Sequence, residues 1–169
     1  QGGMAATNLN LRTRGFTRGL GEAGPGITVL GVIDEGGDFS VSVNKTETLL
    51  REHPDVTAIF SVSAEGAPAA AAVVKQQGRI GRVLVAGFDD LGDTLTGIRD
   101  GSIGFCVVQN TYRMGWLSVE RLLDAVNDRP VPSIIDTGVL FVDRSNIDTY
   151  RKEMEAANAK QLPTRKDGR

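Results

Sequence analysis

Short, nearly continuous apolar runs alternate along the chain with longer stretches in which apolar residues recur every three or four positions. The runs are Ile27–Ile33 (ITVLGVI), Thr57–Val62 (TAIFSV), Arg82–Phe88 (RVLVAGF), Gly104–Val108 (GFCVV) and Gly138–Val142 (GVLFV). The first three are β-branched and close to unbroken, the pattern of strands covered on both faces in a parallel sheet. Between the runs, residues 7–20, 40–52, 64–78, 91–100, 111–127 and 145–156 each suit a helix. In the fifth of these, Tyr112, Trp116, Val119, Leu123 and Val126 fall on one face. Pro25-Gly26 precedes the first run, His53-Pro54-Asp55 ends the second helical stretch and Arg129-Pro130 closes the fifth. Alternation of this kind predicts an α/β fold with a doubly wound, mostly parallel sheet flanked by helices.

Both ends depart from that rhythm. The chain opens on Gln1-Gly2-Gly3 and enters a helix with no strand before it, and Lys160–Arg169 (KQLPTRKDGR) has the composition of a solvated tail. The expected arrangement is one body over residues 1–158 and a charged tail over 159–169, the whole being a piece of a larger protein.

Composition narrows the classes of function. With 40% hydrophobic and 24% charged residues among 169, the chain is an ordinary globular domain. Nineteen basic residues against 21 acidic give a net charge of −2, with no dense basic block in the body, so no nucleic-acid partner is expected. Cys106 is the single cysteine and lies in an apolar run, which reads as core. No apolar run approaches a membrane span, and any leader peptide of a secreted parent would lie upstream.

Ligands of open parallel sheets bind beyond the carboxyl ends of the strands. There Ile33 is followed by Asp34-Glu35-Gly36-Gly37-Asp38-Phe39, Val62 by Ser63-Ala64-Glu65-Gly66, Phe88 by Asp89-Asp90 and Val108 by Gln109-Asn110, while the first helix supplies Arg12 and Arg14. Carboxylates, amides and guanidinium groups that engage two adjacent hydroxyls suit a sugar. The plainer reading makes Asp90 the N-cap of the fourth helix and Ser63 that of the third; for Asp89, capping and ligand binding both stay open.

The ordered combination of Arg12-Thr13-Arg14-Gly15-Phe16, Leu49-Leu50-Arg51-Glu52-His53-Pro54-Asp55, Val85-Ala86-Gly87-Phe88-Asp89, Ile98-Arg99-Asp100-Gly101 and Val108-Gln109-Asn110 resembles the ribose-binding-protein-like periplasmic receptors of ABC sugar importers. The likeness runs from about residue 2 to residue 150 and corresponds to the C-terminal lobe of the two-lobe, type I periplasmic binding fold. It implies a monosaccharide or related polyol as ligand, held by Arg12, Asp89 and Gln109. It implies Phe39 as the aromatic residue on the sugar ring, although Phe39 stands about two positions off the family spacing. Where the family usually carries Asn-Asp, this chain has Ser63-Ala64, so Ser63 is the candidate there and Glu65 a substitute carboxylate.

The same resemblance implies an ABC permease and a separate N-terminal lobe as partners, a periplasmic or extracellular bacterial location compatible with a lipoprotein, and no cofactor or metal. It assigns the stretch near 110–130 to a crossover toward the first lobe, so the fifth helix should lack its packing partner in this chain. The alternative is the effector domain of a LacI-like regulator. Regulators usually place a Pro-rich, Leu-Thr-Thr segment after the Gly-Phe-Asp-Asp turn, where this chain has Leu91-Gly92-Asp93-Thr94-Leu95.

Three other signals point away from chemistry. Gly19-Leu20-Gly21-Glu22-Ala23-Gly24 spells G-x-G-x-x-G, but in the order helix, glycines, strand, so it reads as a loop ending a helix and not as a nucleotide site. His53, the single histidine, reads as a helix C-cap before Pro54. Asp89 and Asp90 are adjacent in sequence, and such neighbours rarely face one substrate from the two sides a hydrolase pair needs. The protein is not expected to be an enzyme.

Overall fold

A computed structural model describes residues 2–24 and 26–161, with six helices and four strands. The elements are α1 (Thr7–Ala23), α2 (Phe39–Glu52), β1 (Ala58–Phe60), α3 (Gly66–Gln76), β2 (Leu84–Phe88), α4 (Gly92–Asp100), β3 (Phe105–Gln109), α5 (Thr111–Val126), β4 (Val139–Asp143) and α6 (Tyr150–Gln161). They fall into two compact units, Gln1–Cys106 and Val107–Arg169.

In the first unit β1 and β2 pair in parallel, with Ala58 beside Leu84 and Phe60 beside Ala86. α3 packs on both strands and also meets α2 and α4. Its sequence, GAPAAAAVVKQ, explains that position: Ala67, Ala69, Ala70, Val73 and Val74 are all buried, and short side chains let the helix axis approach the sheet. Gly87 completes the fit, because a Cβ there would stand 2.6 Å from the Ala67 Cβ. Asp38 caps α2 by accepting from the Val41 amide at 2.9 Å, and His53 occupies the C-cap, as its place before Pro54 suggested.

The second unit holds the end of β3 and, next to it in the strand order, β4, together with α5 and α6. Asn110 caps α5 by accepting from the Arg113 amide at 3.1 Å. The same carboxamide exchanges two hydrogen bonds with Asn158 of α6, at 2.7 and 3.2 Å, in a buried pair that links residues far apart in sequence. α5 has no buried residue; Tyr112, Val119, Leu123 and Val126 of its apolar face are exposed and Trp116 is half-buried.

Three expectations require correction. Ile27–Ile33 forms no strand: the strand order stops at β1, and the segment stands off as the wall of a groove of about 790 Å³. An apolar composition does not make a strand without a neighbour to complete the backbone hydrogen bonds. The last helix begins at Tyr150 and not near 145, because Asp143 accepts from the Ser145 amide at 2.7 Å while the Asn146 amide group donates to the Phe141 carbonyl, holding residues 144–149 in turns. That helix continues through Lys160 to Gln161, into the segment read as tail; residues 162–169 lie outside the described residues. Finally, Gly19 and Gly21 lie inside α1, which ends at Ala23, so all of the glycine motif except the C-cap Gly24 is helix and not loop.

Candidate functional site

Arg12 and Phe16 lie four residues apart on α1 and so share one face. Phe16 stacks on Phe60 of β1 with ring centroids 4.1 Å apart and planes 6° from parallel. Phe60 in turn meets Phe88 edge-on at 6.0 Å. This aromatic contact ties α1 to β1, and Arg12 reaches the carboxyl ends of both strands. There the Arg12 guanidinium donates through Nη1 to the Val62 carbonyl at 2.8 Å and lies 4.1 Å from the centre of the Phe88 ring. The carbonyl and the ring fix the orientation of a cation that would otherwise sweep a wide volume.

Asp89 follows Phe88 directly and adopts φ 66°, in the left-handed region that aspartate tolerates better than most residues. Burial first, and then the negative charges of Asp90 and Asp89, push the Cys106 thiol up to about 12. Cys106 is fully buried and stays protonated at neutral pH, as a core residue should.

Ser63 does not cap α3. The residue before α3 is Glu65 and the residue before α4 is Leu91, and neither makes a side-chain cap bond. Ser63 is instead buried, its hydroxyl donating to Glu35 Oε1 and lying 3.1 Å from the Ser61 hydroxyl. Those bonds consume the group that would have reached the α3 amides. The Glu35 carboxylate rests against the first residue of α3: a Cβ on Gly66 would stand 2.7 Å from Oε1. An acidic group at a helix N-terminus is favourably placed.

The structure therefore holds Arg12 over the Phe88 ring, one residue before Asp89, at the carboxyl ends of β1 and β2, and places Ser63 in a buried cluster with Ser61 and Glu35. Phe39 is the first residue of α2 and lines a small hollow with Pro68 and Ala71 of α3 and Asp93 and Thr96 of α4, in the helix layer. Gln109 ends β3 in the second unit, just ahead of the Asn110 cap. Sequence reading placed Glu35 on the rim without giving it a role, and offered Glu65 as the substitute carboxylate. The signal for Glu35 was its position two residues after an apolar run; its pairing with Ser63 is tertiary.

The profile of the periplasmic binding protein domain matches residues 1–130. Among individual proteins, the chain is similar to the xylose/arabinose-binding protein of Sulfolobus acidocaldarius, at 31% identity over 126 residues that cover 70% of this chain and 31% of the relative. It is also similar to the ribose import binding protein of Bacillus subtilis, at 31% identity over 62% of this chain and 34% of the relative. Among solved structures, the glucose-galactose binding protein of Geobacillus stearothermophilus superposes with a TM-score of 0.84 at 29% identity, over 87% of this chain and 52% of that one. A solute binding protein of an ABC transporter from Burkholderia graminis, solved with D-arabinose, gives 0.82 at 38% identity, over 88% and 53%. The chain thus spans about a third of the length of the curated relatives and about half of the solved ones. With the parallel α/β unit, the clamped arginine and the profile match over most of its length, the chain belongs to the periplasmic binding protein domain family.

Proposed function

We propose that this chain is the C-terminal, ligand-contacting lobe of the solute receptor of an ABC sugar importer, and that it binds a monosaccharide or related polyol without transforming it. The observation that carries this reading is the Arg12 guanidinium, held by the Val62 carbonyl and the Phe88 ring next to Asp89 at the carboxyl edge of a parallel sheet. A fixed planar donor beside a carboxylate acceptor meets the two needs of a vicinal diol, whose hydroxyls each donate and accept. Relatives whose names record xylose, arabinose and ribose binding support the same ligand class. Gln109 supplies an amide to that ligand in the complete receptor, and Phe39 an apolar ring face. Ser63 acts indirectly, by fixing Glu35.

The exposed apolar face of α5 supports a further part of the proposal: it is the surface on which the complementary N-terminal lobe packs. Ligand then bridges two lobes that close about a hinge, and the closed form is what a membrane permease recognises. Such a receptor works in the periplasm or outside the cell. The regulator alternative draws no support from the sugar receptors to which the chain is similar.

Titration calorimetry of the complete receptor against pentoses, hexoses and polyols tests this reading. Saturable binding of at least one of them is expected, and a flat response to the whole panel would remove the sugar assignment.

A further inference from the structure

The Val62 carbonyl that holds Arg12 sits in a bend just past β1, and the residues on either side of it are tied in place. The Ser61 amide donates to the Ala86 carbonyl at 2.9 Å, which fixes the near side of the bend to β2. On the far side, the Ser63 amide donates to the Ser61 hydroxyl at 3.3 Å, and that hydroxyl donates to the Ser63 carbonyl at 3.0 Å. The Val62 carbonyl and the Ser63 amide belong to one planar peptide unit, so whatever fixes Ser63 also aims the carbonyl. The Ser63 hydroxyl donates in turn to Glu35, 28 residues earlier in the chain.

Glu35, Ser61 and Ser63 are all buried. A covered carboxylate is costly unless its oxygens are engaged. The nearby start of α3 favours its charge, whereas the bond to Ser63 secures the bend. Gly2 keeps the approach open: a Cβ there would stand 2.9 Å from the Ser63 Cβ and 3.3 Å from the Gly37 Cα. The connection that carries Glu35 thus reaches Ser63 past a residue with no side chain.

We infer that Glu35 is a positioning residue for ligand binding: through Ser63 it fixes the Val62 carbonyl that aims the Arg12 guanidinium. An arginine on a helix has many rotamers, and one that must present a planar fork to a ligand gains from a fixed acceptor behind it. The purpose of this arrangement rests on the sugar-receptor reading, but the orientation of Arg12 can be measured with no ligand present.

Side-chain nitrogen NMR of the ligand-free complete receptor reads that orientation. The two Arg12 Nη groups should give separate signals in the parent, because rotating the guanidinium breaks the bond to Val62. Glu35→Ala should merge them. Ser63→Ala removes the same bond from its other end and carries the same expectation should Glu35→Ala fail to fold. Signals that stay separate in the folded variant, or are already merged in the parent, overturn the role of Glu35.

Calorimetry with the tightest binder among D-arabinose, D-xylose, D-ribose, D-glucose and D-galactose supplies the second readout. Glu35→Ala should weaken binding about tenfold, the scale of one charge-assisted hydrogen bond no longer aimed at the ligand. With Arg12→Lys already in place, the further loss should stay under about twofold, because the two residues act as one unit. Equal losses in both backgrounds mean that Glu35 serves the fold alone, and overturn the positioning role. Glu35→Gln keeps an oxygen for the Ser63 hydroxyl and should bind like the parent; binding as weak as that of Glu35→Ala overturns the role as well. A parent receptor that binds none of these sugars strikes the sugar reading, and the Arg12 signals still decide what Glu35 does.

Discussion

The Arg12 guanidinium lies 4.1 Å from the centre of the Phe88 ring while its Nη1 donates to the Val62 carbonyl at 2.8 Å. One side chain on a helix thus joins the carboxyl ends of two neighbouring strands. Arg12→Ala removes a charged hydrogen bond and a cation–π contact, and should destabilise the chain by about 1–3 kcal/mol in urea unfolding. Arg12→Lys should recover only part of that loss, because an ammonium has no planar fork to lie over the ring.

Asp89 is expected to matter for affinity more than for stability. In the complete receptor, Asp89→Ala should weaken sugar binding tenfold or more, about 1.4 kcal/mol, as read by titration calorimetry. Its left-handed backbone adds a second test. Asp89→Asn keeps a residue that tolerates φ 66° and should preserve the melting temperature, while Asp89→Val should lower it.

Gly87 allows α3 to seat on the sheet. Gly87→Ala places a methyl group 2.6 Å from the Ala67 Cβ and 3.3 Å from the Ser61 carbonyl oxygen, a crowding worth about 1–3 kcal/mol of stability. Ala67→Gly in the same chain should restore part of the loss, and a double-mutant cycle by thermal unfolding measures that coupling.

The pH dependence has a local marker in Asp100. The Lys75 ammonium, 2.8 Å away, followed by the Ser102 hydroxyl and amide, holds its carboxyl down at about 2, below the ordinary value of 3.8. A lowered folded-state value means that the stabilisation is complete above about pH 4 and disappears as pH falls toward 2. Lys75 is largely exposed, so solvent screens the pair and the effect is modest. Lys75→Met should be slightly less stable than the parent chain at pH 6, and the gap should close near pH 2 in denaturant titrations.

Periodicity and punctuation revealed the order of elements because they are local properties. The family likeness, not spacing, singled out Arg12, and the Phe88-Asp89 turn followed from the end of an apolar run. The misreadings concern partners. Ile27–Ile33 has the composition of a strand, but whether it pairs is a property of β1 and not of its own residues. Ser63 stands where a cap would stand, but its hydroxyl is taken by Glu35, which arrives from an earlier connection. No spacing rule announces such a meeting, nor the pairing of Asn110 with Asn158.

That last pair ties the start of α5 to the far end of the described chain through a sealed amide latch. Any shortened version stopping before position 158 would leave Asn110 holding a donor and an acceptor with half their company gone, in a spot water scarcely enters. The closing helix is therefore a fastening for the helix that opens the second unit, and trimming it should loosen that opening turn first.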